Sequence, residues 1–303
     1  MNSLIGVDVG GTETLAIGID GDGRKFGLGR ANGGHPAEVG LGGLAKAARA
    51  AAEDAGAQLP AAGVVIGIAG VVTETEAREA EDALVRAGLC PEGRALAVSD
   101  ARLAQHGAFG GEPGIVVVAG TGSIAFGRGP GGEEARAAGL GPLFDDPGSG
   151  YDLGRRALIA AARGQDGRGP ETILHGRILE ALGEPDLRSV ARLSLAGQLS
   201  RREVAALAPI VLGAAEEGDL EAKGILAWCT DELGEAARAV VRALDPAPPL
   251  PLACLGGLLG STSYEQALHG ALRRRLPGHA IDQPIGGALE GAAAMAWTRF
   301  RSE

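Results

Sequence analysis

Two short segments of this 303-residue chain have the residue types of a phosphate cradle. In the first, Asp8 precedes Gly10-Gly11-Thr12, with Thr14 two residues further on. In the second, Gly120-Thr121-Gly122-Ser123 follows a β-branched run. A strand that enters a tight glycine turn and leaves again presents successive backbone N–H groups, and such nests bind anions. Glycine there lets phosphate oxygens reach the backbone. Asp8 adds a carboxylate that, beside bound phosphate, suits Mg²⁺ held directly or through water. Thr12 and Thr14 add hydroxyl donors. Either turn alone is also an ordinary hairpin turn; their recurrence in matching positions favours a ligand. Neither is a Walker A loop, since no Gly-Lys-Ser/Thr follows. Asp100 lies between a short apolar strand and a helix. A carboxylate at the C-terminal end of a strand in an open α/β sheet faces the ligand side, where it could act as a base; the other reading is a helix N-cap. Gly256-Gly257 ends a further apolar strand, either as a plain strand-to-helix turn or as a place of close backbone approach.

These residues need a scaffold of alternating strands and helices, and the sequence supplies one. Leu4–Val9 reads as a buried strand and Leu15–Ile19 as its hairpin partner, with Asp20–Gly23 turning into a third strand. Helices are expected at Leu41–Ala57, Thr75–Ala87 and Ala101–Phe109, and strands at Gly63–Ile68 and Ala95–Val98. The pattern then restarts with Ile115–Ala119, the glycine turn, Ile124–Gly127 and a Gly-rich hairpin end at Gly129–Gly132. After Gly154 the chain is largely helical, with a strand at Leu250–Leu255 and helices at Tyr264–Arg275 and Gly287–Arg301. Such alternation indicates an α/β protein with a mostly parallel sheet. The break Gly110-Gly111-Glu112-Pro113-Gly114 places a domain boundary between residues 1–111 and 112–303.

Composition excludes several classes. Gly (52) and Pro (16) are in excess, yet 45% of residues are hydrophobic, too many for a disordered or linker protein. With only 3% aromatics the core must be built from Ala, Leu, Val and Ile. A formal charge of −10 argues against nucleic acid or an anionic membrane surface as partner. Cys90, Cys229 and Cys254 are far apart, without C-x-x-C spacing, and read as reduced, mostly buried thiols. No basic leader precedes the first strand and no apolar run reaches the ~20 residues of a membrane span. A cytoplasmic protein is expected.

Asp8-Val9-Gly10-Gly11-Thr12-Glu13-Thr14 resembles the first phosphate motif of the actin/Hsp70/sugar-kinase superfamily. Ala119-Gly120-Thr121-Gly122-Ser123 resembles its second phosphate motif, and Leu255-Gly256-Gly257-Leu258 its adenosine motif. Val98–Ala101, the loop Gly139–Arg155, Ala214–Asp219 and Gly287–Ala293 narrow the likeness to the N-acetylglucosamine kinases and the related BadF/BcrA-type ATPases. The resemblance runs through nearly the whole chain, in order. It implies two actin-like (ribonuclease H-like) domains, each a mixed, mostly parallel sheet flanked by helices, with an ATP cleft between them. It implies ATP-dependent phosphorylation of a sugar, N-acetylglucosamine or a related amino sugar or hexose. It makes Asp100 the general base and Asp8 the Mg²⁺ residue. Gly10, Gly11, Thr12, Thr14, Gly120, Thr121, Gly122, Gly256 and Gly257 would hold ATP; Asn32, Asp100 and Asp146 would hold the sugar. A homodimer is a further implication. Asn32 is equally at home as a turn residue in Ala31-Asn32-Gly33-Gly34.

The chain departs from the family at the sugar side. Gly-Trp-Gly becomes Gly139-Leu140-Gly141, Gly-Asp-Glu-Gly-Ser becomes Asp145-Asp146-Pro147-Gly148-Ser149, and a polar residue after the second phosphate motif becomes Ile124. Each change removes a hydrogen-bonding or stacking group, so ATP is better supported than N-acetylglucosamine. The competing activity is an ATPase of the BadF/BcrA type acting on a protein partner; those that serve as activators carry an iron–sulfur cluster, which the three cysteines do not match in position. A non-catalytic sensor of nucleotide or sugar is the third possibility. His106, Arg155-Arg156, Trp228 and Trp297 read as packing or surface residues. The glycines outside these motifs read as compositional.

Overall fold

Strands form where β-branched residues run unbroken. In the computed structural model, which describes residues 3–10, 13–70 and 73–301, Leu4–Val9 (β1) is buried along nearly its whole length. It is followed by Glu13–Ile19 (β2), Lys25–Asn32 (β3), helix Pro36–Asp54 (α1), Gly63–Ile68 (β4), Glu74–Arg86 (α2), Ala95–Ser99 (β5) and Asp100–Phe109 (α3). The sheet order is β3-β2-β1-β4-β5. β1 is antiparallel to β2 and β2 to β3, whereas β1, β4 and β5 run parallel. The expected mostly parallel sheet is thus evenly mixed, because the two hairpins contribute as many antiparallel pairings as the crossovers contribute parallel ones.

Period-2 alternation sends the side chains of this sheet to two faces. Ile5, Val7, Val9, Val64, Ile66 and Ile68 pack with Leu44, Ala48 and Leu84 of α1 and α2. Leu4, Val65 and Val98 face the other way, onto Leu103 of α3 and Ala292, Ala293, Ala296 and Phe300. The last four belong to the C-terminal helix, Ala288–Phe300. α1 begins earlier than the expected Leu41 because Pro36 opens it under a His35 cap; Gly40, at φ +68°, interrupts it.

The second set of strands repeats the first. Gly114–Ala119 (β6), Ser123–Arg128 (β7) and Glu134–Ala137 (β8) are followed by six helices: Gly150–Gln165 (α4), Leu174–Leu182 (α5), Leu187–Leu195 (α6), Arg201–Ala205 (α7), Ala208–Glu216 (α8) and Leu220–Leu244 (α9). Then come Leu252–Leu255 (β9), a 3₁₀ turn at Gly257–Gly260, Thr262–Arg275 (α10) and Ile281–Asp282 (β10). The order is β10-β9-β6-β7-β8, strand for strand the order of the first sheet. Among the described residues no helix is long and apolar enough to cross a membrane.

The chain divides into two units, residues 1–114 with 283–303 and residues 115–282. The division after Gly114 falls close to the boundary expected at 111/112. The C-terminal helix, expected in the second domain, is part of the first unit instead. Its small residues let it lie directly on β1 and α3: a Cβ on Gly6 would be 2.6 Å from the Ala293 backbone nitrogen, and one on Gly107 or Gly291 would overlap backbone across the helix pair. Those glycines are packing contacts, not compositional background.

Candidate active site

In the first unit, the parallel strands β1, β4 and β5 end in register. Asp8 pairs with Gly67, and Gly67 with Val98. Asp8 and Asp100 therefore stand at the same edge of the sheet, the carboxyl edge where open α/β sheets take ligands. Asp100 is the first residue of α3 but does not cap it. Ser99 is the N-cap, its Oγ accepting from the Arg102 N–H at 3.2 Å. Asp100 Oδ1 accepts from the neighbouring Ala101 N–H at 2.8 Å. Asp100 leaves its carboxylate at the helix N-terminus, where negative charge is favoured.

Asp8 is raised from 3.8 to about 6, first by burial and then by the charges of Asp100, Glu13 and Glu290. A buried carboxyl group with three acidic neighbours sits in a negative potential that a divalent cation would relieve. Among the described residues no set of three or more His, Cys, Asp or Glu groups converges as a metal cage. A cation at Asp8 would draw most of its ligands from phosphate and water, the habit of Mg²⁺. Glu13 and Glu290 lie within quoted motifs but were given no role there. Glu290 reaches this region because it closes the start of the C-terminal helix, accepting from the Gly287 N–H at 2.9 Å.

The first turn closes through the Gly10 N–H, which donates to the Glu13 carbonyl at 2.9 Å. Gly11 and Thr12 lie outside the described residues. Thr14, expected as a ligand donor, is fully buried, and its Oγ1 has no hydrogen-bond partner among the described residues. Asn32 is exposed at the end of β3, paired across the strands with Glu13.

In the second unit, the Gly120 N–H donates to the Gly122 carbonyl at 2.9 Å, and the Gly120 carbonyl accepts from the Gly150 N–H at 2.8 Å. Thr121 is exposed at the tip of this turn. β6 and β9 are neighbours, with Val118 opposite Leu255, so the turn adjoins Gly256-Gly257. Gly256 sits at φ +110°, and any side chain there would run into the Ala119 backbone. Gly257 is exposed and faces open space.

Asp146, expected as a sugar contact, lies beside the second phosphate turn. Its carboxylate is 4% exposed and accepts from Arg201 Nη2 at 2.6 Å. Burial raises it above the usual carboxylate range, opposed by the Arg201 charge and by hydrogen bonds from Ser123 and Gly141. The segment carrying it is fixed from several elements. Ser123 Oγ donates to the Pro147 carbonyl at 2.7 Å. Asp152 of α4 accepts from the Gly148 N–H, the Tyr264 hydroxyl donates to the Gly148 carbonyl, and Ser149 caps α4. Arg201 was missed by sequence because nothing marks an arginine at a short helix start. The pair that was noticed is engaged elsewhere: Arg156 holds Asp152 at 3.0 Å and lies over the Trp228 ring.

The loop before Asp146 folds back through a Gly141–Asp145 bridge. It presents Leu140, Leu143 and Phe144 to solvent, 67%, 86% and 80% exposed. Of these apolar groups, Leu140 stands where the resemblance would put a tryptophan. The three cysteines are free, with Cys90 raised to about 11 and Cys254 to about 12, chiefly by burial.

Two mixed five-stranded sheets of the same order, each flanked by helices and each with a glycine turn after its first strand, define the actin-like ATPase fold. Over residues 5–296 the chain matches the BadF/BadG/BcrA/BcrD ATPase family, and it belongs to that family. It is 34% identical over 202 residues to an N-acetylmuramic acid/N-acetylglucosamine kinase of Clostridium acetobutylicum, a match spanning 66% of this chain and 65% of that protein. It is 29% identical over 277 residues to an N-acetyl-D-glucosamine kinase of Dictyostelium discoideum, covering 84% of each. A crystal structure from Chromobacterium violaceum, described as a candidate N-acetylglucosamine kinase, is similar over 98% of this chain and 99% of its own, with TM-score 0.78 and 31% identity. A ROK family glucokinase from Streptomyces griseus shares the fold at TM-score 0.62 and 19% identity over 97% and 98% of the two chains.

Proposed function

We propose that this chain is an ATP-dependent sugar kinase whose acceptor is N-acetylglucosamine or a related amino sugar. The observation that carries the reading is the Asp8–Asp100 pair at the carboxyl edge of the first sheet. Family membership supplies the ATP, and the named activities of the two curated relatives supply the class of acceptor.

Transfer needs the acceptor hydroxyl oriented, its proton taken, and the charge on the phosphates offset. Asp100 accepts the hydroxyl proton as the hydroxyl oxygen bonds to the γ-phosphorus of ATP. The bond from that phosphorus to the bridging oxygen breaks, and ADP leaves with the electron pair. Asp8 is the residue that would hold Mg²⁺, whose chemistry is to neutralise phosphate charge. Gly10, Gly120 and Thr121 offer the turns on which phosphates rest, and Gly257 the open backbone against which adenosine lies. Asn32 is the amide available to sugar hydroxyls. The alternative of an ATPase driving a protein partner through an iron–sulfur cluster is less well supported, since Cys90 and Cys229 are buried and burial raises all three thiols.

The test is ADP release from Mg·ATP across hexoses, amino sugars and N-acetyl amino sugars, with wild type and Asp100→Asn. We expect sugar-dependent turnover in the wild type. The variant should lose at least about 100-fold in kcat, the scale of a general base, with Mg·ATP affinity nearly unchanged. Turnover independent of any sugar would sink the kinase reading, and wild-type kcat in the variant would remove Asp100 as the base.

A further inference from the structure

Arg201 occupies a place that no motif accounts for. It opens α7, whose start is set by a reciprocal cap between Ser200 and Glu203, and α7 is packed against α4 through Gly154 and Gly150. From there the side chain reaches Gly120–Ser123. A Cβ on Gly122 would lie 2.6 Å from Arg201 Nη2 and 3.3 Å from Asp146 Oδ2. The glycine at 122 is thus what admits the guanidinium to the turn.

The ion pair has an uneven exposure: Asp146 is 4% accessible and Arg201 45%. Among the described residues Asp146 is the one hydrogen-bond partner of Arg201, which leaves most of its five N–H donors for something else. A carboxylate buried at a cost is a poor device for stability, but a good one for holding an arginine fork in place at an anion site.

We propose that Arg201 contacts the terminal phosphate of the nucleotide at the second glycine turn, with Asp146 as the positioning residue that aims it. This rests on the kinase reading above. The place of Arg201 against Gly122 favours nucleotide phosphate over the other anion available to such an enzyme, a carboxylate on an acidic amino sugar.

The experiment compares full-length wild type, Arg201→Met and Arg201→Lys by calorimetric titration with a non-hydrolysable β,γ-imido ATP analogue, ADP and adenosine, each with Mg²⁺. Arg201→Met should weaken the ATP analogue about tenfold or more, the worth of one charge-assisted hydrogen bond. ADP should change less and adenosine hardly at all. In turnover assays kcat should fall about 100-fold, with part of the loss recovered in Arg201→Lys. Should Arg201→Met fail to fold around the unpaired Asp146, the double variant Asp146→Asn/Arg201→Met removes that charge, and the same selective loss is expected. Equal weakening of all three nucleotides would mean that Arg201 only shapes the turn, overturning the proposal. Unchanged nucleotide binding with a raised KM for a carboxylate-bearing amino sugar alone would assign the anion to the acceptor, and would also overturn it. If wild type binds none of the three, the kinase reading itself fails; if it binds them and Arg201→Met matches it, only the present proposal does.

Discussion

Asp8 carries the clearest consequence at the level of single residues. Its folded value of about 6 lies above the ordinary 3.8, so the folded chain holds this proton more tightly than the unfolded one. The associated stabilisation is complete below pH 3.8 and disappears as pH rises through about 6. Two units correspond to about 3 kcal/mol. Asp8→Asn is therefore expected to be more stable than wild type at pH 7 by up to that amount, and no more stable at pH 4, in urea melts of the ligand-free protein. The same variant should lose Mg²⁺-dependent nucleotide binding. Equal stability of the two proteins at pH 7 would show that Asp8 is not strained by its surroundings. The glycines also separate at this scale. Gly256 is required by the protein itself, since its φ of +110° and the Ala119 backbone leave no room for a side chain. Gly257 meets nothing, so its lack of a side chain is available for a ligand. Sequence placed both in one motif and could not tell these reasons apart.

The elements were legible where one periodicity ruled. β1 and β4 are apolar runs buried on both faces, and their bounds match the expected ones because no competing pattern overlaps them. β10, with two residues, is too short to have a period, and α7 gains its five-residue start from a cap rather than from a stripe. The contact of α3 with the C-terminal helix was invisible, since it depends on small residues meeting across 180 residues of chain. There Gly291→Val should cost about 1–3 kcal/mol, the range for overpacking, read as a melting temperature lowered by several degrees. Gly224→Ala in α9, where a Cβ meets nothing, is the control and should be neutral or slightly stabilising. Equal melting temperatures for the Gly291 variant and wild type would remove the close crossing.

The whole molecule repeats one sheet order twice, a relation visible in sequence only as two strand–turn–strand openings. Its units are not consecutive halves of the chain. The first is closed by residues 283–303, whose helix supplies Ala292, Ala293, Ala296 and Phe300 to one face of its sheet. A chain ending at Asp282 should therefore lose protease resistance and cooperative melting in residues 1–114, whereas residues 115–282 should keep theirs. Survival of both units after truncation would contradict the division. A chain cut at the boundary expected from the Gly110–Gly114 break would fail for the same reason.

By itself the sequence indicated the class of chemistry, and it named the residues proposed to carry it. The glycine motifs and the strand-end carboxylates Asp8 and Asp100 are local features, legible within a few residues. The sequence placed the strands of the first sheet and the helices between them too, because periodicity is written along the chain, whereas β8, β10 and the separate helices α4 to α9 were not resolved from it. Tertiary structure alone decided which distant groups meet. It set Asp146 under Arg201 across 55 residues, buried Thr14, and returned the last helix to the first sheet. Those outcomes depend on which surfaces pack together, and nothing in local spacing encodes the partner of a buried charge.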